Sequence, residues 1–450
     1  MLTATEQRGL GLEIGGRPLP PAAYAPDGFA TIYSAARWIV LIACFFLSWQ
    51  LVRIPALNFT LSDGAFILAL VALLLAGRLN PAFFGRLTSL WMVGVLMLIG
   101  GLFVGSIVHD QTLRWSIVAS QYLIVFLFVP LVLTSFDRDF LGKATLAFTY
   151  GVATSQVLGI IALKWFGYDA VVPYVGRTVV RGNDRIGAMT AEPNANGAVC
   201  VFALVFLVLA MIDRRIHPFL GALIAAIVGA GLLFSASFTS LLALAASLGL
   251  IGILTWSNGF KSIGMPLLVI AVLYIGLGGP LPQIFVERVA EAVVGLDLSK
   301  AGTFAGRSAL IAEAWTLADP HLLIGMGVDK FREASIHGAP VHNLALLLLN
   351  EGGAISLIGL TTLLLCLFSA SIMVGRTDHV GGAACFAVLV VILLYTMSLP
   401  HMYARHWFGP VVLTFSFYMA TKRLPFSPHP TSQDVHSPHG PGLQPGSVPK

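Results

Sequence analysis

The sequence predicts an all-α fold, a polytopic membrane bundle of about 12 transmembrane helices with one large loop between the ninth and the tenth. Three observations lead there. Of 450 residues, 57% are AVILMFWYC and only 10% are Asp, Glu, Lys or Arg, where a soluble domain carries about 25% charge. Mean hydropathy is +0.86 over the whole chain, so the exterior is apolar as well as the core, which excludes a water-soluble enzyme. The apolar residues also come in long continuous runs, the pattern of helices rather than of the alternating strands of a membrane barrel.

Crossing the hydrocarbon takes about 20 residues. Runs of that kind occupy 32–52, 59–76, 90–108, 115–135, 144–166, 195–212, 219–234, 240–256, 263–281, 353–374, 381–399 and 407–420. Residues 1–30 and 422–450 are expected to be disordered cytoplasmic tails. The second is rich in Pro, Ser and His, and its His436 and His439 lack the fixed geometry of a metal site. The spans divide into 31–281, containing nine helices and an external loop near 167–194, and 342–421, containing a membrane re-entry and three more. The large external loop, 282–341, lies between them. Cys44, Cys200, Cys366 and Cys385 sit inside apolar runs and read as small buried hydrophobes.

The net charge of +5 does not point to nucleic acid. No basic helix, zinc-finger spacing or RNA-binding aromatic motif is present, and the basic residues fall mostly in short loops, where they set orientation. With the amino terminus inside, the cytoplasmic side collects Arg8, Arg17, Arg37, Arg78, Arg86, Arg138, Lys143, Arg214, Arg215, Lys261, Arg376, Lys422 and Arg423. The short external loops carry Arg53, Arg114 and Arg405 alone. That asymmetry predicts a cytoplasmic amino terminus.

The two longer external loops hold Arg177, Arg181, Arg185, Arg288, Lys300, Arg307, Lys330 and Arg332. Long loops cross regardless of charge, so topology neither demands nor forbids these residues. Asp184, Glu287, Glu291, Asp297, Asp329 and Glu333 allow ordinary ion pairs. The alternative is a gathering of guanidiniums over a polyanion, for which the planar donor fork of Arg is suited. Within the large loop, 283–294 reads as an amphipathic surface helix with Phe285, Val289 and Val293 on one face. A second helix is expected at 308–318, with Ser308 as cap and Asp319-Pro320 as stop. Arg307 then stands at a helix N-terminus, a setting that favours a phosphate. His342-Asn343 follows Pro340 where the loop meets an apolar run, and a histidine kept neutral there can act as a general base.

Several of these residues together resemble the O-antigen ligases and Wzy-type polysaccharide polymerases of bacterial envelopes. The likeness rests on Arg185 and Gly187 followed by Pro193-Asn194, the turn from Ser235 to Ser240, Gly306-Arg307 with Trp315, Pro320, Gly325 and Gly327, and His342-Asn343 before Glu351-Gly352-Gly353. It covers about 180–375. The resemblance implies a multi-pass protein of the bacterial inner membrane whose active site faces the periplasm. It implies transfer of a glycan from an undecaprenyl-diphosphate-linked donor to a hydroxyl acceptor, without nucleotide sugar, metal or other cofactor. By resemblance, Arg185 and Arg307 clamp the diphosphate and His342 activates the acceptor. Arg181, Arg332, Asn343 and Asn194 rank next as substrate-binding residues, with Arg177 and Arg405 behind them. The partners so implied are the donor, a carrier-linked repeat or lipid A core as acceptor, membrane lipid and other envelope glycan assembly proteins.

Two departures stand against that pattern. Glu192 lies near enough in sequence to neutralise Arg185, and His337, His401 and His406 offer rival imidazoles. A polymerase of exopolysaccharide or O-antigen repeats is preferred over a ligase because no feature marks recognition of lipid A core. A transporter of lipid-linked glycan stays open from helix number alone, although repeated halves and midplane charges are scarce. An intramembrane protease lacks a nucleophile and base pair, since Ser235 and Ser237 read as turn residues.

Overall fold

The computed structural model describes residues 27–181, 183–255, 281–287 and 304–420. Over these residues the chain is helical except for a small antiparallel pair, β1 (Arg53–Ile54) and β2 (Phe59–Thr60), and short connections. The helices are α1 (Asp27–Phe45), α2 (Leu61–Leu75), α3 (Thr88–Val108), α4 (Thr112–Leu123), α5 (Val129–Leu133), α6 (Arg138–Ile161), α7 (Gly167–Val175), α8 (Pro193–Ile212), α9 (Pro218–Ser235) and α10 (Phe238–Thr255). They continue with α11 (Phe304–Ala318), α12 (Lys330–Ala334), α13 (Leu344–Thr377), α14 (His379–Thr396) and α15 (Arg405–Met419). Nine helices among the described residues are long and apolar enough to cross a membrane, so the chain is an all-α bundle of membrane type. The expected run at 263–281 lies outside the described residues apart from Leu281, as do both expected tails apart from 27–30.

Two local expectations are corrected. The helix foreseen at 308–318 begins at Phe304, so Arg307 and Ser308 lie inside its first turns rather than at a capped start. Gly306 falls within this helix, where one glycine costs only about 1 kcal/mol, and the apolar face closing on Ala314 and Ala318 outweighs that. The expected amphipathic helix at 283–294 is described only to Glu287. There Phe285 is buried against the turn at Ala236 rather than presented to a bilayer surface.

Helix α13 is the axis of the site. Its first part opens with Asn343, whose side chain accepts a hydrogen bond from the Leu346 amide at 3.0 Å. The helix breaks at Gly353, which adopts φ 68° and ψ −171°, a conformation only glycine reaches without strain. The break leaves carbonyls without helical partners, and the loop after α11 supplies donors. Met326 N–H donates to Asn350 O at 2.7 Å, Gly327 N–H donates to Glu351 O at 2.9 Å, and Leu322 O accepts from Ala354 N–H at 2.7 Å. Below the break α13 packs along α3 through a seam of small residues. A Cβ on Gly101 would come within 2.5 Å of Ser356 Oγ, so the helices meet at backbone distance.

At the loop-bearing end of the bundle, Arg405 reaches from α15 into the N-terminal cap of α2. There Thr60 and Asp63 form a reciprocal capping box. Arg405 is fully buried, pairs with the buried carboxylate of Asp63, and donates to Thr60 Oγ1 at 3.1 Å and Asn58 O at 3.2 Å. It is therefore committed to holding α15 against α2, which corrects its place among the weaker carrier-contact candidates. At the opposite end Arg138 pairs with Asp378 at 3.1 Å and Arg215 with Asp139 at 3.5 Å.

Removing one partner of a buried ion pair leaves the other charge uncompensated at a cost of about 3–5 kcal/mol. Arg405→Met is expected to lower the thermal unfolding midpoint in detergent markedly, and Asp63→Asn with Arg405→Met to recover part of the loss. Unfolding of the single variant at the parental temperature would show that the pair contributes nothing.

Candidate functional site

The loop-bearing end holds two polar clusters. The first is built on a tight hairpin in which Val180 bridges Ile186 and Arg181 N–H donates to Arg185 O at 2.9 Å. Asp184 takes the left-handed turn position at φ 58°, which Asp tolerates better than most residues. The hairpin turns the Arg185 side chain inward, where its Nε donates to Ser235 O at 2.8 Å and an Nη donates to Asn194 Oδ1 at 2.9 Å. Asn194 in turn donates to Glu192 Oε1 at 2.9 Å. Glu192 does not sit on Arg185 as feared from sequence. Its other oxygen caps α8 by accepting from Ala195 N–H at 2.6 Å, and Asn194 stands between acid and guanidinium. Asn194 thus aims Arg185.

The Ser235–Ser240 turn closes this cluster. Ala236 adopts φ 45°, exposing Ser235 O to Arg185, and Ser240 Oγ shares a 2.6 Å hydrogen bond with Tyr395 OH. Tyr395 lies in the last turn of α14, three residues before Ser398.

The second cluster gathers where that connection meets the large loop. His342 is half-buried, one residue ahead of the α13 cap. Burial and then the neighbouring Arg307 guanidinium push its pKa below the ordinary histidine value, while the Ser398 backbone opposes them. Asn343 spends its side-chain oxygen on the Leu346 amide. His401, on the Ser398–Ala404 connection, is also shifted down. Burial dominates, Asp329 opposes, and Arg114, Arg332 and His342 add to the depression.

Asp329 is the hub. It follows Gly327 and stands at φ 63°, immediately before α12. Its Oδ2 accepts from Arg114 Nε at 2.5 Å, and its Oδ1 lies 3.9 Å from His401 Nε2. Arg114 also donates to Tyr403 OH at 3.4 Å. Glu351, buried at the helix break, faces the Asp329 backbone and shares the field of Asp329 and Arg114. The neighbourhood of the two imidazoles thus contains Arg114, Arg307 and Arg332 against Asp329.

The Arg307 charge acts on His342, and Arg332 acts on the same neighbourhood through His401. Arg185 and Asn194 form their own cluster, connected to the second through Tyr395 and the segment leading to Ser398 and His401. Arg181, Arg177 and His337 are exposed. His406 is buried beside Trp407, at 4.7 Å between rings, next to the Arg405 anchor. Sequence reasoning missed Arg114, Asp329, Tyr403 and Glu351 as members of one cluster. Arg114 carried a usable signal, being a basic residue in a short external loop where such residues are few. Among the described residues no group of three or more His, Cys, Asp or Glu side chains is placed to hold a metal ion. No known family's sequence profile matches the chain, and no curated protein matches it.

Because His342 binds its proton less readily when folded than when unfolded, its contribution to stability is present above the ordinary histidine pKa near 6.5 and is lost as pH falls through the lower folded value. Arg307→Ala removes one depressing charge, so the His342 titration should move upward towards the ordinary value. Histidine-selective NMR, assigned with His342→Gln, reads this directly. An unmoved titration would separate the two side chains.

Proposed function

We propose that the chain is a membrane glycosyltransferase that binds a lipid-linked diphosphate glycan at its loop-bearing end and passes the glycan to a hydroxyl acceptor. The observation carrying this reading is a half-buried imidazole, His342, kept from protonation by burial and by the field of Arg307, within a neighbourhood that also holds Arg114 and Arg332. A cation next to a basic nitrogen suits a reaction in which a hydroxyl loses a proton while a diphosphate departs. The resemblance to O-antigen ligases and Wzy-type polymerases supports the same chemistry.

In this reading the acceptor oxygen attacks the anomeric carbon from the face opposite the diphosphate. The new C–O bond forms as the bond to the phosphate oxygen breaks, so the anomeric centre inverts. His342 takes the acceptor proton, and Arg307 with Arg185 stabilises charge growing on the departing diphosphate. Fixed cations aimed at a developing charge favour the transition state over bound substrate. Arg181 and Arg332, both exposed, contact the carrier headgroup. Asn194 acts through Arg185.

The complete reading is an inner-membrane protein of about 12 spans with the large loop between the ninth and tenth and the site facing the periplasm. Its preferred activity is polymerisation of exopolysaccharide or O-antigen repeats. Transfer to lipid A core is the ligase outcome of the same chemistry, and the acceptor consumed separates the two.

Purified protein in detergent, given carrier-linked glycan and candidate acceptors without ATP, tests the proposal. Loss of a positioned general base costs about 10²–10⁴ in rate, so His342→Ala should fall by at least that lower factor, with Arg185→Ala and Arg307→Ala comparably impaired and all three normally folded. Full transfer by all three variants would overturn the site, and movement of glycan across liposomes with no new glycosidic bond would favour a transporter.

A further inference from the structure

The segment between α11 and α12 faces two ways. One side closes a small core of Ala314, Ala318, Met326 and Phe331 against Leu346 and Leu349 of α13. The other side is apolar too, yet uncovered. Leu322 is 45% exposed, Leu323 75% and Ile324 48%, with Trp315, one turn before the end of α11, at 59%. Three consecutive apolar side chains in the open are not what a loop in water carries.

Their position says what covers them. The Leu322 carbonyl is bonded to the Ala354 amide, which sets Leu322–Ile324 beside the start of the long continuous part of α13. Ile355 and Ile358 just below are themselves exposed, as are Val104, Ile107 and Val108 at the adjoining end of α3. Gly325 packs against Gly105 of α3 as well as against Glu351, so the loop is wedged between these two helices. The exposed apolar belt of α3 and α13 therefore runs without interruption into the loop. At the other margin the rings of His109 and His321 lie 6.0 Å apart. An exposed Trp on the helix that leads into an exposed aliphatic loop suits the boundary between acyl chains and headgroups. Non-helical backbone is tolerated at that depth where it packs within protein, and the loop is tied to α13 by bonds of Leu322, Met326 and Gly327 to Ala354, Asn350 and Glu351.

We propose that Leu322, Leu323 and Ile324, with Trp315 at their margin, form a re-entrant lip inserted into the acyl region of the leaflet at the loop-bearing end. Arg307 lies eight residues before Trp315 on the same helix, about 12 Å along its axis. The lip holds the Arg307–His342 mouth at headgroup height, which for the glycan-transfer reading on which this consequence rests is where a lipid diphosphate lies. Insertion itself does not depend on that reading.

Nitroxide labels at Leu323→Cys and Ile324→Cys, in protein reconstituted into phosphatidylcholine–phosphatidylglycerol vesicles, report depth through their relative accessibility to oxygen and to a water-soluble nickel chelate. The endogenous cysteines Cys44, Cys200, Cys366 and Cys385 are buried. Ile358→Cys serves as the lipid reference and Glu333→Cys as the aqueous one. The oxygen-to-nickel ratio at 323 and 324 is expected to match that at 358 and exceed that at 333 several-fold. A ratio equal to that at 333 would place the lip in water, and exclusion of both reagents would mean that protein covers it. Either result overturns the proposal. Since the readout involves no glycan, a depth result against the lip would leave the transfer reading standing, and failure of transfer would leave the depth measurement intact.

Discussion

Backbone amides and carbonyls cannot be left unpaired inside an apolar bundle, because each one costs about 1–3 kcal/mol. The break in α13 at Gly353 creates such groups, and the loop 322–328 answers them by laying its own backbone beside Asn350, Glu351 and Ala354. The rest of the site depends on this exchange. It fixes the loop that ends at Asp329, and it lets the first part of α13 stand as a separate helical piece whose cap carries His342. Through the Ala314 carbonyl, which accepts from Asn350 Nδ2 at 3.0 Å, it also seats α11 and hence Arg307. An ordinary straight helix would have left the three without a common frame.

The electrostatics follow from that frame. Asp329 partly offsets the cations around the imidazoles, and its link through Arg114 to Tyr403 ties the large loop, the start of α4 and the last connection together. What remains is a basic neighbourhood in which His342 and His401 resist protonation. A site with full acid compensation would not attract an anion, and one without any would repel its own basic residues. For the proposed transfer this balance keeps an imidazole available as base while guanidiniums attend the leaving group. The Arg185 cluster is built differently, since its fork is oriented by a carbonyl and an amide rather than by an acid.

Much of the bundle was legible from hydropathy because continuous apolar runs leave few alternatives. The expected 195–212 run falls within α8, Pro193–Ile212, and 90–108 within α3, Thr88–Val108. Charged and capping residues extended the helices beyond those runs, as at Arg138 in α6. The start of α11 was misread because Ser308 resembles a cap, whereas tertiary packing of Ala314 and Ala318 decides the matter. The run at 353–374 marked only the lower part of α13, since residues 344–352 belong to the same helix across the Gly353 break. In the site, Arg307 and His342 could be singled out from residue type and position. Arg114 and Asp329 could not be paired, because they are 215 positions apart and no local pattern links them. Glu192 was misjudged for the opposite reason, its nearness in sequence to Arg185 hiding its work as the α8 cap.

The account stands on the two clusters facing away from the cytoplasm. Impermeant thiol labelling of Arg181→Cys, Glu333→Cys and Thr377→Cys in cells with a permeabilised outer membrane measures this directly. Positions 181 and 333 should react in intact spheroplasts and position 377 only after the inner membrane is opened. Reaction of 377 alone before lysis would turn the molecule over and contradict the proposed chemistry at its root.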